Sequence, residues 1–227
     1  MKLNDVTLVS IVGKPSHLEK TKKAMRHCLN QVDFQKSILL SCEKDSELET
    51  YQIPYLDISM YNHFCVKELK DYIDTEFCLL IQSDGYIIDK NYWTDEFLNY
   101  DYIGSPWASW DYTVGNGGFS LRSKKFLETS SSLEYFSNSH IQAGIPSYMF
   151  LHDDVCAEDF FLCYINKDYM IKEGIKFPKA ELAYQFSVEH QDGKIKRFNP
   201  EDITTYKSFG FHGHFNTAAM EKLNEQH

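Results

Sequence analysis

The sequence predicts an α/β fold whose central sheet is mostly parallel, and two observations lead to this class. Short β-branched, apolar runs alternate with segments of helical periodicity through the first half of the chain, which is typical of βαβ units. The 227 residues are 43% hydrophobic, enough for one domain with a sizeable core. The sequence contains no internal repeat, low-complexity tract or interdomain linker, so we predict a single domain over residues 1–227.

The first predicted unit is a strand followed by a helix. The run from Val6 to Val12 is almost continuously apolar, as expected for a strand that is buried on both faces. Ser16 and Glu19 then have the spacing of a capping box, and apolar residues from Leu18 to Val32 recur at helical intervals. The sequence therefore predicts that a helix capped by Ser16 completes a β-α unit.

More strands and a second helix follow in the first half of the chain. The segment Ser37 to Ser41 is predicted as a strand, and Tyr55 to Ile58 as a weaker one. Apolar residues between Val66 and Ile73 indicate an amphipathic helix, and Phe77 to Ile81 reads as a buried strand. Ligands of open parallel sheets bind beyond the carboxyl ends of the strands, so polar residues at those ends are candidates for a site.

The pattern becomes less regular after Tyr100. Phe119 to Leu121 is predicted as a short strand, and the Ser-rich stretch Thr129 to Ser139 as a surface connection. A helix is predicted from about Glu158 to Lys172, with Gly174 ending it.

Charge and composition limit the expected partners. The formal net charge of −10 excludes nucleic acid and anionic membranes as expected partners, because both attract basic surfaces. No apolar run is long enough to cross a membrane and no signal peptide is recognisable, so we expect a cytoplasmic protein. The six cysteines form no CxxC pair and are predicted to be reduced, structural thiols.

Two segments could bring charge or backbone close to a ligand. The strand that ends at Ile81 runs directly into Gln82-Ser83-Asp84-Gly85, where the Asp84 carboxylate could bind a hard divalent cation, although Asp-Gly is also a common turn dipeptide. The three glycines between Val114 and Leu121 allow a close approach of the backbone to a ligand, or they form a hairpin or bulge.

Two later segments carry candidate acid–base and metal-binding groups. Glu158 and Asp159 begin a predicted helix, where a carboxylate can act as a general base or only stabilise the helix dipole. His212 is either structural or completes a metal site with a distant Asp. Most aromatic residues belong to the core, but one or two could stack against a sugar or base, from the set Trp93, Tyr100, Tyr102, Trp107, Trp110 and Tyr112.

Taken in chain order, these segments resemble the signature of GT-A glycosyltransferases. Gln82-Ser83-Asp84, the glycines of residues 115–118, Glu158-Asp159 and His212 resemble their DXD motif, glycine loop, xED motif and C-terminal histidine. More closely, QSDG, VGNGGFSLRS, AEDFFLC and FGFHG resemble a GT-A-like family of bacteria, eukaryotes and large viruses, over nearly the whole chain. The resemblance implies a GT-A-type, Rossmann-like three-layer sandwich with a mixed, mostly parallel central sheet.

The resemblance also implies an activity and roles for single residues. A sugar would pass, with inversion, from a nucleotide-diphosphate donor to a glycan or another hydroxyl acceptor, by analogy in polysaccharide or glycoprotein assembly. Asp84 and His212 would bind Mn²⁺ or Mg²⁺, and Asp159 would be the catalytic base. Residues implied to hold the donor or acceptor are Glu158, Gly117, Gly118, Gln82, Ser83 and the segment Val9 to Gly13, including Val12.

Two alternatives remain open at this point. Gln82 replaces the first acidic residue of the DXD motif, which removes a usual contact to ribose or to a metal-bound water. A catalytically inactive sugar- or nucleotide-binding module of the same fold is therefore one alternative, and glycan binding without a nucleotide requirement would distinguish it. His152-Asp153-Asp154 also resembles the His-Asp pair of metal-dependent phosphohydrolases, but those are all-helical proteins and the predicted strands argue against that class.

Overall fold

The computed structural model describes residues 1–107, 113–145, 155–189 and 207–213. The strands are β1 (Lys2–Val12), β2 (Asp33–Ser41), β3 (Thr50–Gln52), β4 (Phe77–Ile81), β5 (Gly85–Ile87), β6 (Tyr102–Ile103), β7 (Pro106–Trp107), β8 (Thr113–Val114), β9 (Phe119–Ser123), β10 (Ser187–Val188) and β11 (Gly210–His212). The α-helices are α1 (Leu18–Gln31), α2 (Ile58–Lys67), α3 (Lys124–Ser132), α4 (Ser139–Gln142), α5 (Glu158–Phe160), α6 (Lys167–Lys172) and α7 (Ala180–Phe186).

The central sheet has six strands in the order β3-β2-β1-β4-β9-β6. Strands β3, β2, β1 and β4 are parallel, whereas β9 and β6 run antiparallel to their neighbours. Every residue of β4 is buried, as a strand in the middle of a sheet covered on both faces must be. The expected α/β class with a mixed, mostly parallel sheet is confirmed.

A smaller sheet positions part of the site. Strand β11 lies between β10 and β5, parallel to the first and antiparallel to the second. Strand β5 begins only four residues after β4 ends. The small sheet therefore brings the C-terminal segment of residues 207–213 to the carboxyl end of β4.

The first helix is where the sequence predicts it, but its cap is not. A 3₁₀ turn over Pro15–His17 precedes α1, and His17 is the N-cap without a side-chain hydrogen bond. Pro15 favours the first position of such a turn, and this places Ser16 inside it, away from the cap position. The prediction that Ser16 caps the helix is wrong.

The predicted strand from Tyr55 to Ile58 is also wrong. Asp57 is the N-cap of α2 and accepts a hydrogen bond from the Met60 N–H at 2.8 Å. A capping Asp before a helical run outweighs the weak strand signal, and the third strand instead forms earlier, at Thr50–Gln52. The amphipathic segment predicted around Val66 to Ile73 is the end of α2 and a 3₁₀ turn over Leu69–Tyr72.

The Ser-rich stretch that we predicted as a surface connection begins inside a helix. Helix α3 extends to Ser132, and the hydroxyls of Ser130 and Ser131 donate to carbonyls three residues earlier. These bonds let serine fit into a helix although it is a weak helix former. The helix predicted from Glu158 to Lys172 is confirmed in extent, but Phe161–Ile165 forms a π-helical turn between α5 and α6.

The cysteines agree with the expectation of unpaired, structural thiols. All six cysteines are free, and all except Cys42 are buried. In the described ranges, no helix combines the length and the apolar character needed to cross a membrane.

Candidate functional site

The carboxyl end of β4 turns sharply into β5. The Gly85 N–H donates to the Gln82 carbonyl at 3.2 Å, and the Gln82 N–H donates to the Gly118 carbonyl at 2.9 Å. A Cβ on Gly85 would lie 2.8 Å from the Gly118 oxygen, so this close approach requires glycine. Asp84 therefore does lie in a turn, and the turn holds its carboxylate at the ligand-binding edge of the sheet.

Strand β11 brings His212 to this turn. His212 pairs with Gly85 across the small sheet, and the Gly213 N–H donates to the Asp84 carbonyl at 2.9 Å. The His212 Nε2 atom lies 3.6 Å from Asp84 Oδ1 and 3.3 Å from Gln82 Oε1. Two predicted site residues that are distant in sequence thus lie side by side.

Glu189 is a third charged group at this position, and sequence reasoning missed it. Its Oε1 lies 3.7 Å from His212 Nδ1, on the other side of the ring. Burial lowers the pKa of His212, but the carboxylates of Asp84 and Glu189 outweigh burial and raise the pKa to about 10. The site therefore strongly favours a positive charge between the carboxylates. Glu189 follows Val188, the last residue of β10. That strand has only two residues and is too short to predict from sequence.

Asp84 and His212 fit the geometry of two ligands of one cation. Ligands at about 2.1 Å from an ion lie about 3 to 3.5 Å apart, close to the separation of Asp84 Oδ1 and His212 Nε2. Glu189 would orient the imidazole from its other nitrogen. The part of the chain that the structure describes contains no group of three His, Cys, Asp or Glu side chains arranged around a metal position. Water or phosphate oxygens would have to complete the coordination.

The glycine loop between β8 and β9 packs against both His212 and Glu158. A Cβ on Gly118 would lie 2.1 Å from His212 Nε2, and a Cβ on Gly117 would lie 2.0 Å from Glu158 Oε1. Asn116 has a positive φ of 61°, a conformation that Asn tolerates better than most residues. Only glycine fits at positions 117 and 118, because the backbone itself packs against the site.

Asp159 is connected to the same loop. Its Oδ2 accepts a hydrogen bond from the Gly117 N–H at 2.6 Å, and its Oδ1 accepts one from the Phe160 N–H at 2.7 Å. Burial raises the pKa of Asp159, although both N–H groups oppose this shift. The residue keeps part of its surface exposed. A partly accessible carboxylate with a raised pKa suits a proton acceptor.

Glu158 faces away from the exposed part of the site. It is 3% exposed, and its Oε1 accepts a hydrogen bond at 2.8 Å from Nη2 of Arg122, which is fully buried. Arg122 also donates to the Gly117 carbonyl at 3.3 Å and to Ser120 Oγ at 2.9 Å. This ion pair positions the glycine loop against α5. Sequence reasoning overlooked Arg122, although a charged residue inside an apolar strand is a recognisable signal.

A pocket of about 420 Å³ opens beside Asp84. Gly13, Gln82, Ser83 and Asp84 line it, whereas Val12 is buried in β1 behind it. Tyr61 contributes its ring to the lining, and its hydroxyl accepts a hydrogen bond from Gln82 Nε2 at 2.8 Å.

Of the aromatic residues that we considered as ligand contacts, the four that the structure describes do not line this pocket. Trp93 packs against Phe209, Tyr102 packs against Phe126, and Trp107 covers Gly115. Tyr100 packs against the core. Trp110, Tyr112 and the segment His152-Asp153-Asp154 lie outside the described residues.

Comparison with known proteins assigns the chain to a family. The family described as "Protein of unknown function (DUF5672)" matches residues 45–212. The chain belongs to this family. No curated protein matches it.

Solved structures identify the fold. A glycosyltransferase involved in the glycosylation of the major capsid of PBCV-1 is 15% identical, with 97% of each chain covered and a TM-score of 0.51. The galactosyltransferase LgtC, solved with donor and acceptor sugar analogues, is 12% identical, with a TM-score of 0.47 over 100% of this chain and 96% of LgtC. The first likeness shows a shared fold, so the GT-A-type class is confirmed, while the chemistry must be argued from the site.

Proposed function

We propose that the protein is a glycosyltransferase that moves a sugar from a nucleotide-diphosphate donor to an acceptor hydroxyl. One observation carries the proposal: Asp84, His212, Gly118 and Asp159 come from separate segments and meet at one edge of the sheet beside a pocket. Each of these residues also matches a motif position that the resemblance predicts. The fold shared with the PBCV-1 capsid glycosyltransferase supports the same class.

The pocket is suited to a nucleotide. Ile11, Leu56 and Ile58 supply apolar wall, and Gly13 and Ser83 supply small residues at the ends of β1 and β4. A mostly apolar cleft with a few polar groups is typical of nucleotide-sized ligands. Asp84 belongs to this lining, so we propose that the diphosphate of a donor bound here lies near the turn after β4.

Asp84 and His212 would hold a Mn²⁺ or Mg²⁺ ion, with Glu189 orienting the imidazole. When bound, such an ion supplies positive charge to the departing diphosphate. Gly118 leaves room for the His212 ring to stay in this position.

Asp159 would accept the proton of the acceptor hydroxyl. The acceptor oxygen forms its bond to the anomeric carbon as the bond to the diphosphate oxygen breaks, and the bonding electrons leave with the diphosphate. Displacement from the opposite face inverts the anomeric configuration. The Gly117 N–H holds the Asp159 carboxylate in place during this step.

A thermal-shift panel tests donor binding. Wild type, Asp84→Ala and the control Asp5→Ala are each measured with UDP-, GDP-, CMP- and dTDP-sugars, in Mn²⁺ and in EDTA. Asp5 is an exposed residue near the other end of β1. A donor at about 100 times its Kd adds roughly 2.7 kcal/mol, which raises Tm by roughly 5–10 °C in a domain of this size.

The proposal expects one nucleotide sugar to stabilise wild type and the Asp5→Ala control. It expects Asp84→Ala to lose the additional stabilisation that Mn²⁺ gives. Failure of every donor to raise Tm, with and without metal, would remove the support for a transferase.

A further inference from the structure

The pocket beside Asp84 has a basic wall that no motif explains. Lys14, His17 and Lys20, which lie just before and within the first turn of α1, line the pocket together with the turn after β4. The chain as a whole has a formal net charge of −10, so a concentration of bases at one cleft contrasts with its composition. Cationic walls in clefts attract anionic ligands.

Neighbouring basic residues form ion pairs within the protein. Lys22 pairs with Glu19 at 3.2 Å and with Asp45 at 2.5 Å, and Arg26 pairs with Glu47. By contrast, Lys14 and Lys20 have no carboxylate partner within ion-pair distance among the residues that the structure describes. Their ammonium groups thus remain available to a ligand in the pocket.

The pocket lining carries charges of both signs. Asp57 and Asp84 line it as well, and these carboxylates alone would repel a diphosphate. The lysines supply two positive charges without a bound ion. Apolar side chains of Ile11, Leu56 and Ile58 lie in the same lining, which suits the base of a nucleotide better than free phosphate.

We propose that Lys14 and Lys20 bind the diphosphate of a nucleoside diphosphate, so that the donor binds without an obligatory divalent cation. This inference rests on the proposed function and concerns how the same site holds its substrate. A cation at Asp84 and His212 then adds to an affinity that the lysines already provide. Binding of the diphosphate by the two lysines also accounts for a donor site in which Gln82 replaces a carboxylate of the DXD motif.

The test measures nucleotide affinity in EDTA by isothermal titration calorimetry. UDP, GDP, CDP and dTDP are titrated into wild type, Lys14→Gln/Lys20→Gln and Lys23→Gln. Lys23 is exposed on the same helix and does not line the pocket, so it is the matched control for loss of positive charge. The nucleoside of the best ligand, which lacks phosphate, is titrated in parallel at high concentration.

We expect one nucleoside diphosphate to bind wild type in EDTA. The double variant should weaken this binding at least about tenfold, because charged hydrogen bonds are stronger than neutral ones. Lys23→Gln should change it less than about twofold, and raising the salt concentration should weaken binding to wild type. Binding of the nucleoside should be unchanged in the double variant.

Three results would overturn the inference. If wild type binds only with Mn²⁺ and the double variant binds equally well, the lysines do not hold the diphosphate, while the proposed function stands. If the double variant weakens nucleoside and diphosphate equally, the lysines act through the pocket's shape and not through charge. If none of the nucleotides binds with EDTA or with Mn²⁺, the proposed function fails together with this inference.

Discussion

The two halves of the central sheet are stabilised in different ways. Strands β1, β2 and β4 contribute apolar side chains such as Leu8, Ile38 and Leu79 to the core, and all three are fully buried. In contrast, β9 carries the fully buried Arg122, which is paired with Glu158 and connected to the glycine loop. Buried charge requires a partner, so β9 and α5 depend on each other in a way that the parallel half does not. The apolar half ends at the turn that carries Asp84, and the charged half holds the glycine loop against α5.

The largest effect is expected when this charged pair is broken. Arg122→Met should destabilise the protein by about 3–5 kcal/mol, because Glu158 is left buried without its cation. Urea unfolding measures the loss. Arg122→Met/Glu158→Gln should recover part of it, since the second change removes the stranded charge.

A change in the apolar half provides the comparison. Leu79→Ala is expected to cost about 2–5 kcal/mol through a cavity, which no substitution at Glu158 recovers. If Glu158→Gln rescues neither variant, the account of the charged half is wrong.

The second prediction concerns the contact between the glycine loop and the imidazole. Gly118→Ala places a Cβ 2.1 Å from His212 Nε2, so the ring must move. A shift of about 1 Å costs on the order of 100-fold in turnover, whereas Lys23→Ala, at an exposed position of α1 that does not line the pocket, should leave turnover intact. Steady-state rates with the donor found above measure the difference, and equal rates for both variants would contradict the assigned geometry.

The third prediction is a pH dependence of metal binding. Because the pKa of His212 is raised to about 10, the imidazole carries a proton at neutral pH that a metal must displace. Mn²⁺ affinity should therefore rise with pH, by about tenfold per unit between pH 6 and 8. In His212→Gln the steep part of this dependence should vanish. A Mn²⁺ affinity that does not change with pH in wild type would show that His212 is not a ligand.

The smallest effect is expected at a local feature of the parallel half. Asp57→Ala removes the N-cap of α2 and should destabilise the protein by about 1 kcal/mol. Asp57→Asn keeps a capping oxygen and should restore most of the stability in urea unfolding. An equal loss in both variants would assign the effect to charge and not to capping.

The parallel half also shows what could be predicted from sequence. The strands around Val6, Ser37 and Phe77 were predicted correctly because their apolar runs are local and continuous. Ser16 and Tyr55 were misjudged, since Pro15 and Asp57 change the local structure within a few residues.

Site residues were recognised by motif order more than by local pattern. Asp84 and His212 lie side by side because strands β5 and β11 pair. Each of these strands has only three residues, too few to show a strand pattern in the sequence. Glu189 and Arg122 were missed because their roles arise from contacts between distant segments. The metal, the donor and the inverting course remain predictions.

The most direct test of the central claim is release of nucleoside diphosphate. The protein is incubated with each nucleotide sugar, with Mn²⁺ and a panel of glycan acceptors, and the freed diphosphate is measured for wild type and Asp159→Asn. We predict release from one donor by wild type and a loss of about 10²- to 10⁴-fold in Asp159→Asn, with donor binding unchanged. Near-normal release by Asp159→Asn would contradict the assigned base, and no release from any donor would contradict the transferase itself.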